Sequence, residues 1–113
     1  MEGRKDVAEQ ENIVLTEGVY YILLALTRPL HGYGIMQRVD EMTAGRLRMA
    51  AGTLYGALNS LQEKGWIRSA GAQEGRRKEY ILTEDGRVVL EADLRRLEEL
   101  VENGRCVLGR RKE

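Results

Sequence analysis

Apolar residues recur at helical spacing in three segments of the first half of the chain. The first segment covers residues 15–28 and ends there because Pro29 cannot continue a helix and disfavours helical backbone at the residue before it. The second covers residues 31–44. The third covers residues 50–65 and closes on Gly65, since glycine readily adopts the left-handed backbone that ends helices. This spacing predicts three successive amphipathic helices.

A β-hairpin is predicted to follow the third helix. Residues 66–69 and 78–82 are short strand candidates, and the turn between them, residues 71–75, is polar and bracketed by glycines. Thr83 then suits the N-cap of a fourth helix, because its hydroxyl can accept a hydrogen bond from the first helical turn.

The fourth helix carries an apolar heptad repeat, with Gly104 at one position of its seam. The other seam residues are Leu90, Leu94, Leu97, Val101 and Leu108. The seam either folds back on the core of the same chain or pairs with a second copy. Pairing is favoured, because the preceding elements leave little apolar surface to cover so long a helix. The helix either continues through Gly104 or ends at Asn103-Gly104.

Together these elements predict an α+β, mainly helical fold. It is a winged helix-turn-helix of three helices and a β-hairpin wing, followed by a long C-terminal dimerisation helix. We expect an N-terminal extension over residues 1–14, a DNA-binding domain over residues 15–82 and the dimerisation helix over residues 83–113. The polar extension either lengthens the first helix or frays.

Length and composition exclude several classes of protein. The 113 residues suffice for one compact domain with one long appended element. No apolar run is long enough to span a membrane, and the start of the chain lacks the pattern of a signal peptide, so a cytoplasmic location is expected. The single cysteine, Cys106, and the single histidine, His31, have no neighbours at a spacing suited to a metal site or a catalytic triad. We therefore expect no metal, no cofactor and no enzymatic activity.

The charges balance overall but are unevenly distributed. The formal net charge is zero, from 18 basic and 18 acidic side chains. Residues 28–80 nevertheless hold nine basic and five acidic side chains, a net charge of plus four. A local basic face of this kind can bind a nucleic-acid backbone while the whole molecule stays neutral.

The outer face of the third helix is a candidate surface for reading duplex DNA. Short polar side chains can bond base edges or phosphates, and a glycine lets the backbone approach. The candidate residues are Thr53, Tyr55, Gly56, Asn59, Ser60 and Lys64. The alternative is an ordinary solvated face of an amphipathic helix.

Five further positions, in the hairpin turn and at the start of the second helix, extend this candidate surface. The hairpin turn crowds the cations of Arg76, Arg77 and Lys78, whose mutual repulsion a nearby phosphate relieves. The alternative is an exposed charge run neutralised by neighbouring glutamates. Tyr33 and Gln37 open the second helix, where a helix N-terminus attracts anions, although Tyr33 can equally pack.

Trp66, between the third helix and the hairpin, has two interpretations. Its default role is to staple the hairpin to the helical core. If it is exposed near a dimer cleft, it can instead stack a planar aromatic ligand.

Several motifs together resemble the PadR-like family of bacterial transcriptional regulators. They are HGYGIMQRV, GTLYGAL, KGWI and GRRKEYILTEDGR, and the likeness covers about residues 15–87. The resemblance implies a dimeric winged helix-turn-helix whose recognition helix begins near Gly52. It also implies repression of a nearby gene, relieved in some members by an aromatic small molecule that lodges between subunits.

We therefore expect a homodimeric repressor that binds an inverted-repeat operator in double-stranded DNA, with a planar aromatic effector as a further partner. The alternative is a ligand-sensing or protein-interaction module that has the same fold and does not bind DNA.

Overall fold

The computed structural model describes residues 13–71 and 77–109. Three helices precede the wing. They are α1 (Glu17–Ala25), α2 (Gly32–Met42) and α3 (Ala51–Lys64). The hydroxyl of Thr16 caps α1 by accepting a hydrogen bond from the backbone N–H of Val19, 3.2 Å away. α3 ends as predicted at Gly65, which has a φ of 80°. α1 ends earlier than predicted, since its C-cap is Leu26.

The sheet has three strands rather than the two of a simple hairpin. They are β1 (Leu30–His31), β2 (Ile67–Ser69) and β3 (Glu79–Leu82). The strand order is β1-β3-β2 with both pairings antiparallel, which confirms the predicted hairpin. Leu30 lies opposite Tyr80 on β3. The short first strand therefore ties the start of α2 to the wing.

The fourth helix, α4 (Glu84–Leu108), is one continuous element of 25 residues, about 37 Å long. It continues through Gly104, and its C-cap is Gly109, with a φ of 68°. Thr83 is the predicted N-cap. Its hydroxyl accepts a hydrogen bond from Gly86 N at 3.0 Å and donates one to the carbonyl of Gly65 at 2.6 Å.

The hydrophobic core lies where the helices meet the sheet. Its fully buried members include Ile22, Leu23, Ile35, Leu54, Leu58, Ile67 and Val89. α4 enters this core only with its N-terminal half, and Gly86 there leaves no room for a side chain beside the carbonyl of Trp66. Past Ala92 and Asp93, the side chains of α4 are half-buried or exposed.

Several predictions fall on residues that the structure does not describe. They are residues 1–12 of the N-terminal extension, the hairpin turn at 72–76 with Arg76, and the tail at 110–113. The division into an extension, a DNA-binding domain and a dimerisation helix stays a prediction.

Candidate nucleic-acid interface

The outer face of α3 is presented to solvent as the sequence predicts. Leu54, Leu58 and Leu61 are buried beneath it. The exposed residues are Thr53, Tyr55, Gly56, Asn59, Ser60 and Lys64. No heavy atom lies within 4 Å of the position that a Cβ of Gly56 would take, so the backbone of α3 is open to a close approach at this point.

Tyr55 joins α3 to the start of α2. A Cβ at Gly32 would lie 2.2 Å from the hydroxyl oxygen of Tyr55, so the tyrosine rests directly on the backbone of this glycine. The preceding residue, His31, caps α2 through Nδ1, which accepts a hydrogen bond from Gly34 N at 3.1 Å. The second predicted helical segment begins at His31, but the role of Gly32 was not predicted. The only signal for it was the glycine in the HGY motif.

The base of the wing reaches the same junction. The guanidinium of Arg77 lies 6.0 Å from the centre of the Tyr33 ring, and the ammonium of Lys78 lies 5.8 Å from that of Tyr80. Both cations remain exposed. Burial raises the pKa of the Tyr80 phenol, with a further contribution from Tyr55. Aromatic rings from α2, α3 and β3 thus gather beside two cations of the wing.

A shallow groove continues this surface along α2. It measures about 230 Å³ and is lined by Tyr33, Met36, Gln37, Asp40, Arg48 and Met49. Arg48, from the loop before α3, contacts Asp40 with Nε 3.3 Å from the carboxylate oxygen and stays largely exposed. Sequence reasoning missed Arg48, because a loop residue has no periodic pattern that reveals which way it faces.

Two other basic residues are already engaged. Arg46 pairs with Glu17 at the start of α1, and this hydrogen bond lowers the pKa of the Glu17 carboxyl. The ammonium of Lys64 lies 5.6 Å from the centre of the Trp66 ring, at the C-terminal end of α3 where the helix dipole favours a cation. Lys64 therefore lies at the edge of the outer face.

Burial decides between the two interpretations of Trp66 and corrects one predicted seam residue. Trp66 is only 5% exposed and belongs to the core, so its ring staples the wing and offers no face on which a planar ligand could stack. Leu90 is 6% exposed and packs in the same core, so it is not a dimer-seam residue. It occupies a heptad position, but that position lies where α4 still crosses its own domain. Of the other seam residues, Leu97 is half-buried and Leu94, Val101 and Leu108 are exposed.

Two kinds of feature are absent from the described parts of the chain. Within residues 13–71 and 77–109, no helix combines the length and apolar character needed to cross a membrane. The same residues contain no group of three or more histidine, cysteine or carboxylate side chains placed to hold a metal ion.

The elements and their order define a winged helix-turn-helix protein, with α3 in the position of the recognition helix and β2–β3 as the wing. Residues 21–92 match the Transcriptional regulator PadR-like family, and the chain belongs to this family. Its members are transcriptional regulators and not enzymes.

Individual relatives agree with this assignment. The chain is 33% identical over 79 residues to the transcriptional regulator YqjI of Escherichia coli (strain K12), a match that covers 68% of this chain. It spans only 18% to 38% of the length of the relatives that it matches by sequence.

Solved structures share the fold. A PadR-like transcriptional regulator from Bacillus cereus has a TM-score of 0.68 at 19% identity, covering 84% of this chain and 92% of that one. Bacillus subtilis PadR, solved in complex with operator DNA, has a TM-score of 0.60 at 27% identity, covering 69% of this chain and 46% of that one.

Proposed function

We propose that the protein is a homodimeric repressor that binds an inverted-repeat operator through α3 and the wing. The observation that carries this proposal is that Tyr55 of α3 rests on Gly32 while Arg77 of the wing lies near the neighbouring Tyr33, so three elements meet in one surface. The polar face of α3 lies beside it. A surface of this composition suits a phosphate backbone next to the edges of bases.

The dimensions of α3 suit the major groove. Its 14 residues are about 21 Å long, and the groove is about 12 Å wide, enough to admit one helix. Asn59 has the donor and acceptor that pair with an adenine edge, while Thr53 and Ser60 carry hydroxyls that bond either bases or phosphates. We therefore assign sequence preference mainly to Asn59.

The wing and the start of α2 supply backbone contacts. Arg77 and Lys78 are exposed cations whose charged groups lie 6.0 and 5.8 Å from the centres of aromatic rings, which favours their present positions. Tyr33 and Gln37 lie at the opening of α2, and Arg48 borders the groove beside them. We include Arg76 in the wing contacts from the sequence alone. The operator complex of Bacillus subtilis PadR supports DNA as the partner of this surface.

The dimer is proposed from the exposed half of α4. Leu94, Val101 and Leu108 follow one another at seven-residue intervals and are exposed on one face of the helix, and a second copy covers them. Two copies related by a two-fold axis present two α3 helices to one duplex, which requires an inverted repeat. Repression is proposed from the family resemblance.

Selection of bound duplexes from a random pool tests the function as a whole. The expected result is an inverted-repeat consensus whose half-sites are about one helical turn apart. Recovery of no enriched sequence, together with no anisotropy change on any duplex at low salt, would overturn the proposal and favour a module that does not bind DNA.

The wing contacts are tested with the R77A/K78A double variant. Affinity should fall for all duplexes, and the slope of log affinity against log salt should become shallower by up to about four, because the two subunits of the dimer each lose two cations that neutralise phosphates. R87A is the matched control, since Arg87 is an exposed arginine on α4 that lies 3.8 Å from Glu91. An unchanged slope in R77A/K78A would contradict the wing assignment. N59A should instead change the selected consensus.

Release by a planar aromatic effector remains a prediction from the resemblance, and its site is not Trp66. Addition of planar aromatic compounds to the operator complex should lower the anisotropy if such an effector acts. If none of the compounds changed the anisotropy, the protein would be a constitutive repressor.

A further inference from the structure

The C-terminal half of α4 exposes an apolar stripe that is wider than a simple two-residue seam. In heptad notation, Leu94, Val101 and Leu108 occupy a positions, Leu97 and Gly104 occupy d positions, and Leu100 and Val107 occupy g positions. All of the exposed large apolar residues in this set are 43% to 83% exposed. So wide an apolar surface on one helix requires a partner.

The two edges of the stripe differ in chemistry. Glu98 and Arg105 lie at e positions one heptad apart, so opposite charges occupy the same edge, and both border a shallow groove over Leu94, Leu97 and Val101. The other edge is formed by the apolar side chains of Leu100 and Val107. Where this g edge enters the domain it carries Asp93, which is 1% exposed and bonded to Arg96 at 2.7 Å.

A parallel pair of α4 helices fits this pattern poorly. Parallel helices place the g edge of one along the e edge of the other. Leu100 would then face Arg105 of the partner subunit, which is unfavourable because it desolvates a charge against an apolar side chain. Glu98 would have no basic residue opposite it, because the matching g position is Asp93, which is buried in its own domain and bonded to Arg96.

An antiparallel pair places the e edge of one helix along the e edge of the other, and the g edge along the g edge. One register gives favourable contacts along both edges. We infer that two copies pair their α4 helices antiparallel with Glu98 opposite Arg105 of the partner subunit, an arrangement that rests on the dimer proposed above. Two-fold symmetry gives two copies of this ion pair. The same register sets Leu100 against Val107 of the partner subunit, also twice.

The apolar layers of this register are complementary. Leu97 meets Leu108 of the partner subunit, and Val101 meets Gly104 of the partner subunit at the centre. Gly104 has no side chain to obstruct this approach, and no heavy atom lies within 4 Å of the position of its missing Cβ. The overlap covers residues 97–108, about 18 Å of helix.

The antiparallel register one heptad away is worse. It would set Glu98 against Glu98 of the partner subunit, which is repulsive. Val107 would lie opposite Asp93 of the partner subunit, which is already buried in its own domain, and would gain no apolar contact there. Charge complementarity therefore selects the register with the Glu98–Arg105 pair.

Charge reversal tests the register by analytical ultracentrifugation of the full chain. E98R alone and R105E alone should each weaken the dimer about tenfold at low salt, because each replaces two attractive contacts by two repulsive ones. An equimolar mixture of the two variants should recover the original dimer affinity, since every cross-contact is then attractive. In a parallel pair Glu98 and Arg105 do not face each other, so the mixture would show no recovery over the single variants, and that result would overturn the register. No effect of either reversal on a protein that dimerises would overturn the register and leave the dimer standing. A monomeric wild type would remove both.

Disulfide cross-linking gives a second readout that does not depend on charge. In a C106S background, a mixture of L97C and L108C chains should form mixed disulfide dimers under mild oxidation, while L97C alone should not. Cross-linking of L97C with itself would indicate a parallel pair and overturn the inference. Cross-linking of L97C with V101C in preference to L108C would indicate the register one heptad away and would also overturn it.

Discussion

Replacement of Gly86 by alanine tests how closely α4 packs on the body of the domain. A Cβ at this position would lie 2.1 Å from the carbonyl oxygen of Trp66 and 2.8 Å from Cδ1 of Leu82. An ordinary C···O contact is roughly 3.3 Å, so the new Cβ would overlap the carbonyl oxygen by about 1.2 Å. The carbonyl cannot yield freely, because it accepts a hydrogen bond from Thr83 N at 3.0 Å.

The expected loss of stability is about 2 kcal/mol. Overpacking of this kind costs about 1–3 kcal/mol, and loss of the hydrogen bond to Trp66 costs about 1 kcal/mol. Alanine in a helix offsets about 1 kcal/mol of this relative to glycine. For a domain of this size the melting temperature should fall by about 10 °C.

Thermal and urea unfolding followed by circular dichroism measure this change. G56A is the matched control, because it makes the same substitution inside a helix where no heavy atom lies within 4 Å of the new Cβ. G56A should raise the unfolding free energy by about 1 kcal/mol. If G86A and G56A shifted stability in the same direction, the close packing of α4 on Trp66 would be refuted.

Three further predictions concern other parts of the domain. G56A, although more stable, should bind the operator more weakly by anisotropy, because its methyl group keeps α3 from a close approach; unchanged affinity would exclude Gly56 from the interface. H31A should lose about 1 kcal/mol in urea unfolding through the cap to Gly34, while H31N, which keeps an acceptor, should lose less. The pKa of Tyr80 is raised above 10, mainly by burial and further by Tyr55, so its contribution to stability is present below pH 10 and is lost as the pH rises through the folded value. Y80F should therefore flatten the alkaline decline in unfolding free energy, and an unaltered decline would contradict this origin.

Much of the fold could be predicted because its signals are local. Proline, glycine and threonine at the ends of elements are recognised from a few neighbouring residues, and Thr83 and Gly65 lie where these rules place them. β1 was missed because it has only two residues and exists through pairing with β3, about fifty positions later in the chain. No local pattern reveals such a strand.

The candidate site could be predicted in outline for a similar reason. Helical periodicity separates the outer face of α3 from its buried face, so Asn59 and Ser60 were placed correctly on the surface. Periodicity does not say what covers an apolar position, which is why Leu90 was wrongly assigned to the dimer seam. The contact of Tyr55 with Gly32 depends on how two helices cross, and that is a property of tertiary packing.

The connection at Thr83 has a mechanical consequence. This one residue follows β3 directly, caps α4, and bonds through its hydroxyl to Gly65 at the end of α3 and through its N–H to Trp66. Because no loop separates β3 from α4, a tilt of α4 would also move Thr83 and the residues bonded to it. The end of α3 and the wing would move with it. In the proposed dimer, a change in the angle between the two α4 helices would therefore also change the distance between the two α3 helices.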